Sequence, residues 1–299
     1  MKIVLMDGGM GQELIARSKH PVHPLWSTQV MRHEPEIVRE VHRDYLEAGA
    51  RVLTVNAYAM TGPRLARDGE AESFDELQNT ACALAAEARG SRSDVTLAGC
   101  LPPLIGSYRP DMTPEPEVAL AEYRRIVAAQ APHVDVFLAE TMPNAAEAFA
   151  AVTAAAESGK PIWVAWTLKD GGDAHLRSGE RIAEAAAAIA HLPVAAHLVN
   201  CCHPESVDAA LPELAALNGP VGAYANGFVS VAPLQPGGTV DALTAREDLG
   251  PDPYADFALG WVDGGATILG GCCEVGPAHI ATLAERLTAA GHEIVGMPE

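Results

Sequence analysis

The stretch VAAHLVN, residues 194–200, is apolar at almost every position and runs directly into Cys201 and Cys202. A strand with one wet face alternates apolar and polar side chains, so a near-continuous apolar run implies burial on both faces. Parallel strands covered by helices are built this way. Seven more runs of the same kind follow the chain: KIVLMD (2–7), RVLTVN (51–56), VTLAGC (95–100), VDVFLAE (134–140), PIWVAWT (161–167), PVGAYAN (220–226) and ATILGG (266–271). Between them the pattern predicts helices over 35–48, 73–89, 116–130, 144–157, 180–190, 204–217, 254–262 and 277–290, several opening on Pro and two closing at Gly49 and Gly90. Eight strand–helix units without an intervening linker predict an α/β fold, a (β/α)8 TIM barrel, as a single domain over residues 1–299. A doubly wound sheet is the alternative. The Gly- and Pro-rich segment 226–253 reads as a long loop over one end of the barrel.

The composition narrows the partners. The formal charge is −19, from 39 acidic and 20 basic residues scattered along the chain, which disfavours nucleic acid and anionic membrane and favours a small cationic ligand. The apolar run in MKIVLMDGG is too short for a signal peptide, and the region 185–199 is broken by His191, Pro193 and His197. The expectation is a soluble cytoplasmic protein, a monomer or small homo-oligomer. Its six cysteines show no framework spacing and suit reduced thiols better than disulfides.

In such a barrel the chemistry belongs to the C-terminal ends of the strands. Here those ends read Asp7-Gly8-Gly9, Asn56-Ala57-Tyr58, Gly99-Cys100, Glu140-Thr141, Trp166-Thr167, Asn200-Cys201-Cys202, Tyr224-Ala225-Asn226 and Gly270-Gly271-Cys272-Cys273. Neighbouring cysteines point to opposite faces of a regular strand, so Cys272 and Cys273 face one ligand only where the strand breaks. Gly270-Gly271 are expected to supply that break through backbone conformations closed to other residues. The sixth strand lies roughly 10 Å away and offers a third sulfur, from Cys201 or Cys202. Three thiolates with a fourth position open would make a catalytic zinc site. Spacing alone leaves packed free thiols and a vicinal disulfide as alternatives.

The run GGCCEVGPAHI (270–280) is joined in order by DGGMGQEL (7–14), LWS (25–27), PEIVREVHRDYLEAGARVLTVNAY (35–58), AETMPN (139–144) and LVNCCHP (198–204). Together they resemble the homocysteine S-methyltransferase family, the barrel shared by betaine-, S-methylmethionine- and folate/cobalamin-linked methyltransferases. The resemblance implies Zn2+ held by Cys201, Cys272 and Cys273, with Cys202 left to packing and His203 a lesser candidate ligand. It also implies that Glu140 receives the amino group of homocysteine and that Asp7 lies near the substrate. The N–H groups of Gly8 and Gly9 are candidates for the substrate carboxylate. Asn56 is a hydrogen-bonding candidate, and Trp26, Tyr58, Trp166 and Tyr224 are candidates to flank a cationic donor.

The implied reaction moves a methyl group from an onium donor, S-methylmethionine or another sulfonium, to the homocysteine thiol, giving methionine. The leaving group becomes neutral and needs no acid. Two stretches depart from the family pattern: Glu274-Val275-Gly276 after the cysteine pair, and NAYAMTGPRLAR (56–67). Both bear on the donor more than on metal or acceptor. The competing readings are a zinc- and homocysteine-binding or thiol redox module without methyl transfer, a zinc hydrolase on the same barrel, and a selenol acceptor such as selenohomocysteine or selenocysteine.

Overall fold

The computed structural model describes residues 1–25 and 27–298. Eight parallel strands follow one another around the sheet: β1 (Lys2–Leu5), β2 (Val52–Thr54), β3 (Thr96–Leu101), β4 (Val136–Met142), β5 (Ile162–Trp166), β6 (Val194–Asn200), β7 (Val221–Tyr224) and β8 (Ile268–Leu269). β8 pairs with β1, and the seam between β1 and β2 closes through a parallel bridge from Met6 to Val52, with Asp7 N–H donating to Val52 O at 3.0 Å. The result is the expected barrel.

Alternation along the strands sorts the apolar residues into two cores. Val4, Met6, Val136, Leu138, Trp163, Ala165, Ala196, Leu198 and Ile268 fill the barrel interior. Their neighbours Ile3, Leu5, Phe137, Ile162, Val164, Val199 and Leu269 face outward and are covered by helices. Both sets are out of water, which is why the strands read as unbroken apolar runs. Each large side chain so covered contributes about 1.5–3 kcal/mol.

The covering helices are α1 (Met10–Arg17), α2 (Ser27–His33), α3 (Pro35–Glu47), α4 (Gly62–Arg67), α5 (Phe74–Arg89), α6 (Pro116–Gln130), α7 (Ala145–Ala156), α8 (Ile182–Ala188), α9 (Pro204–Leu214), α10 (Pro251–Asp263) and α11 (Pro277–Ala289). α7 begins where the Asn144 side chain accepts the Glu147 N–H at 2.8 Å, and α5 ends at Gly90, whose φ is +57°. Among the described residues no helix is long and apolar enough to cross a membrane.

Three helices and one strand go beyond the sequence reading. α1, α2 and α4 are short and lie in the loops after β1 and β2, where no apolar periodicity accumulates. A ninth strand, β9 (Glu293–Val295), pairs in parallel with β1 from Lys2 to Val4. It lies at the N-terminal end of the β1–β2 seam, where a Cβ on Gly296 would come within 2.8 Å of Asp94 O and 3.0 Å of Arg51 O.

The segment 226–253 does cross the barrel mouth. It leaves β7, is pinned where Ser230 Oγ and Val231 N–H donate to Asp170 Oδ2 at 3.2 and 3.3 Å, and reaches Arg67 on the β2 side at Gly237.

Candidate active site

Two strand ends, those of β6 and β8, bring the sulfurs of Cys201, Cys272 and Cys273 within 4.8 Å of one another. Cys201 follows β6 at a φ of +50°, a left-handed conformation that costs about 1–3 kcal/mol outside glycine. Its surroundings hold it there. Asn200 accepts the Thr141 N–H and donates to the Thr141 hydroxyl, each at 2.9 Å, so the ends of β4 and β6 are tied across β5. Cys201 N–H donates to Tyr224 O at 3.2 Å, and Thr167 Oγ1 donates to Cys201 O at 3.1 Å.

The cysteine pair is positioned differently from the sequence expectation. Gly270 and Gly271 do not adopt left-handed backbone; the turn is made one residue beyond the pair, by Glu274 at φ +66°. The glycines instead permit contact. A Cβ on Gly270 would lie 2.8 Å from Met6 Cβ, and one on Gly271 would run into the Val275 side chain. The loop is locked by Gly271 N–H to Asp7 O at 2.9 Å, Cys272 N–H to Ala225 O at 3.0 Å and Gly227 N–H to Cys273 O at 2.9 Å.

Among the described residues all four non-glycine residues in left-handed conformation, Tyr108, Thr141, Cys201 and Glu274, sit at this end of the barrel. Backbone strain is therefore concentrated where the sulfurs converge.

A cavity of about 100 Å3 opens over the sulfurs. Of the sequence candidates, Asp7, Gly8, Gly9, Asn56, Tyr58, Glu140 and Tyr224 all line it. Trp166 does not: it is fully buried on the outer face of β5, stacked on His197 with ring centres 6.3 Å apart. Trp26 lies outside the described residues. Cys202 packs into the outer core with its thiol pushed up to about 12 by burial, and His203 points away to Gly171 and Asp170.

The two buried acids differ in their commitments. Asp7 accepts the Thr54 N–H at 2.7 Å and the Thr54 hydroxyl at 3.0 Å, tying β1 to β2 while facing the cavity. Glu140 has one oxygen, Oε1, at 2.9 Å from the Cys100 thiol. Burial raises both carboxyls to about 7, against the lowering effect of Thr54 on Asp7 and of Cys100 on Glu140. The Gly9 N–H is already spent on Val275 O at 2.9 Å, so it is not available to a substrate carboxylate.

The donor set fits a metal. Tetrahedral zinc with Zn–S bonds of about 2.3 Å spaces its sulfurs about 3.8 Å apart, within reach of the present arrangement by small side-chain rotations. Hydrogen bonds from Cys272, then Cys273, push the Cys201 thiol well below its usual range. The same contacts push Cys272 and Cys273 up. Three sulfurs this close, one of them readily deprotonated, suit a cation.

Sequence reasoning missed Tyr108, whose hydroxyl lies 2.9 Å from Cys201 Sγ, and Asn226, whose side-chain amide is 3.9 Å from the same sulfur. Tyr108 sits mid-loop after β3, outside any strand end. Asn226 was visible at the end of the seventh run but carried no signal separating it from a turn residue.

Fold and site define a single-domain α/β barrel with a three-cysteine centre, able to bind a metal, at its C-terminal mouth. The description "Homocysteine S-methyltransferase" matches residues 4–287, and the chain belongs to that family. It is 32% identical to the homocysteine S-methyltransferase of Escherichia coli (strain K12), the alignment covering 95% of each chain. It is 27% identical to the selenocysteine Se-methyltransferase of Brassica oleracea var. italica, covering 95% of this chain and 89% of that protein. The crystal structure of the homocysteine methyltransferase MmuM from Escherichia coli in its metallated form superposes with a TM-score of 0.79 at 31% identity, covering 96% of each chain.

Proposed function

We propose that this chain transfers a methyl group from an onium donor, a sulfonium such as S-methylmethionine, to the thiol of homocysteine at a zinc ion held by Cys201, Cys272 and Cys273. The observation that carries the reading is the convergence of three sulfurs within 4.8 Å beneath a cavity that also holds the buried acid Glu140. When bound there, zinc would leave one position for a fourth sulfur and favour its thiolate, the nucleophilic form.

The side chains supply recognition and alignment. Glu140, poised near neutrality, ionises when the ammonium of homocysteine arrives beside it, and the Cys100 thiol holds its other partner position. The Gly8 N–H, which has no hydrogen-bond partner among the described residues, is left for the substrate carboxylate. The Tyr224 hydroxyl is buried without a partner among the described residues, and burial keeps it protonated, so it offers the substrate a donor. The rings of Tyr58 and Tyr224 give the onium cation π faces at the cavity wall. The departing thioether or amine is neutral, so alignment of sulfur, methyl carbon and leaving atom does most of the catalysis. The six free thiols suit a reducing compartment, which supports a cytoplasmic setting.

The test is an assay of the zinc-loaded protein with homocysteine and a panel of sulfonium and ammonium donors, following methionine by mass spectrometry. Roughly one zinc per chain, lost in Cys272→Ser, is expected alongside methionine formation. Zinc-loaded protein that forms methionine from no donor would sink the reading.

A further inference from the structure

Arg64 belongs to the NAYAMTGPRLAR stretch, and the cysteine cavity makes no use of it. α4 carries it inward: the Thr61 hydroxyl accepts the Arg64 N–H and donates to Leu104 O at 2.6 Å, docking the helix against the loop after β3. The residue is only 8% exposed. Its Nη2 donates to Pro103 O at 2.9 Å and Ser107 Oγ at 3.3 Å, and its Cζ lies 5.1 Å from the centre of the Tyr58 ring. Nε is buried with no partner among the described residues.

No carboxylate of the described residues forms an ion pair with it. Arg177 and Arg246, also largely covered, are paired at 2.8 Å with Asp170 and Glu205. Glu147 feels the charge of Arg64 but spends its oxygens on the Leu104 N–H, the Thr113 hydroxyl and Tyr123. A buried guanidinium without a counter-charge is costly. Two of its neighbours are a carbonyl and a hydroxyl, which accept hydrogen bonds but bring no charge.

The space beside it is suited to the missing anion. Arg64, Arg67, Gly106 and Ser107 line a second cavity of about 30 Å3, together with residues 234–238 of the long loop. That volume holds about two water-sized groups, the size of the two oxygens of a carboxylate. Arg67 is already bound to Asp68 at 2.7 Å, so Arg64 carries the uncompensated charge. Tyr58 lies next to both cavities: it lines the cysteine cavity, its hydroxyl lies 2.9 Å from Oγ of Ser107, which lines the second, and Arg64 covers one face of its ring.

We propose that Arg64, assisted by Arg67, binds the carboxylate of the methyl donor. The donor is then a zwitterion whose onium centre faces the cysteines and whose carboxylate lies beyond Tyr58, under the loop. This inference rests on the methyl-transfer reading and adds to it the residue that selects donors by their anionic end. A planar fork of N–H donors stacked on an aromatic ring is pre-organised for that group.

The test compares a sulfonium donor with a free carboxylate to its methyl ester, in wild type and in Arg64→Met. The variant is expected to raise KM for the carboxylate donor about 10- to 100-fold, leave kcat within about twofold, and leave KM for the ester unchanged. Equal losses for both donors would assign Arg64 a structural role and overturn the proposal. If Arg64→Met fails to fold, Arg64→Lys keeps the charge without the fork, and the loss is again expected for the carboxylate donor alone; equal losses overturn it.

A second arm needs no turnover. Propionate binding to the zinc-loaded wild type, measured by calorimetry, is expected, with competition by the carboxylate donor and loss in the Arg64 variant. Absence of binding, or binding that the donor does not displace, overturns the proposal. Should the wild type methylate homocysteine from neither donor, the methyl-transfer reading fails, while the propionate arm still decides whether Arg64 forms an anion site.

Discussion

The Tyr108 hydroxyl lies 2.9 Å from the Cys201 sulfur, and Tyr108 is kept at a φ of +62° with the Arg177 guanidinium 5.1 Å from its ring centre. A hydroxyl donated to a thiolate orients the ligand and moderates its charge. Removing such a partner typically weakens metal binding about 10- to 100-fold. Tyr108→Phe is therefore expected to lower zinc affinity by that factor in competition with a chromophoric chelator, with thermal stability of the metal-free chain nearly unchanged. Unchanged affinity would show that the hydroxyl contact does not matter to the metal.

In the proposed reaction Glu140, buried at the cavity wall, meets the ammonium of the acceptor. Glu140→Gln keeps the shape and the Cys100 contact but removes the charge. KM for homocysteine is expected to rise about 10-fold or more, with zinc content and the KM for the donor unaltered, because a hydrogen bond to a charged partner contributes about 1.5–3 kcal/mol. A parallel rise in both KM values would argue against the assignment.

Glycines in the first loop give a matched pair. A Cβ on Gly9 would lie 2.7 Å from Cys272 O and 3.2 Å from Cys273 Cα, backbone that cannot withdraw without moving the sulfurs, whereas a Cβ on Gly11 meets nothing within 4 Å. Gly9→Ala is expected to cost about 1–3 kcal/mol and to reduce zinc binding. Gly11→Ala, within α1, should be neutral or stabilising by up to about 1 kcal/mol. Chemical unfolding of both variants checks the contrast, and equal effects would refute it.

His42 on α3 is fully buried, neither ring nitrogen has a partner among the described residues, and burial lowers its pKa to about 3. The folded state thus holds the neutral ring, while the unfolded chain takes up a proton near pH 6.5. The stability that neutral His42 contributes is complete above pH 6.5 and is lost as pH falls toward 3. By pH 5 the loss is about 2 kcal/mol. His42→Leu should remove that component, so urea unfolding at pH 7 and pH 5 is expected to show a smaller difference for the variant than for wild type. Identical differences would mean that the ring finds a proton-accepting partner.

Much of the fold was legible because burial on both faces leaves a strong mark: VAAHLVN became β6 with the bounds expected, and PEVALAEYRRIVAAQ became α6. What escaped was short or dependent on distant partners. β9 has three residues and gains its meaning from β1, nearly three hundred positions away. The convergence of Cys201, Cys272 and Cys273 was readable as strand ends plus resemblance. The means of convergence was misread, since a glycine in a sequence does not reveal whether it serves an unusual φ or a close neighbour. Trp166 illustrates the same limit for side-chain direction: the end of a strand has two faces, and the odd spacing from the interior residues Trp163 and Ala165 was needed to see that it lies outside.

The place of β1 in the sheet orders events in time. β1 leaves the ribosome some 260 residues before its neighbours β8 and β9. Cys201 is likewise made some seventy residues before Cys272, and both wait for β8 to dock beside β1. The early strands must therefore stay unpaired at one edge through most of synthesis, a long-range closure of the sort that slows folding. The three-sulfur cluster comes into being only when β8 docks, so the folded barrel, rather than the nascent chain, is the form able to bind a metal.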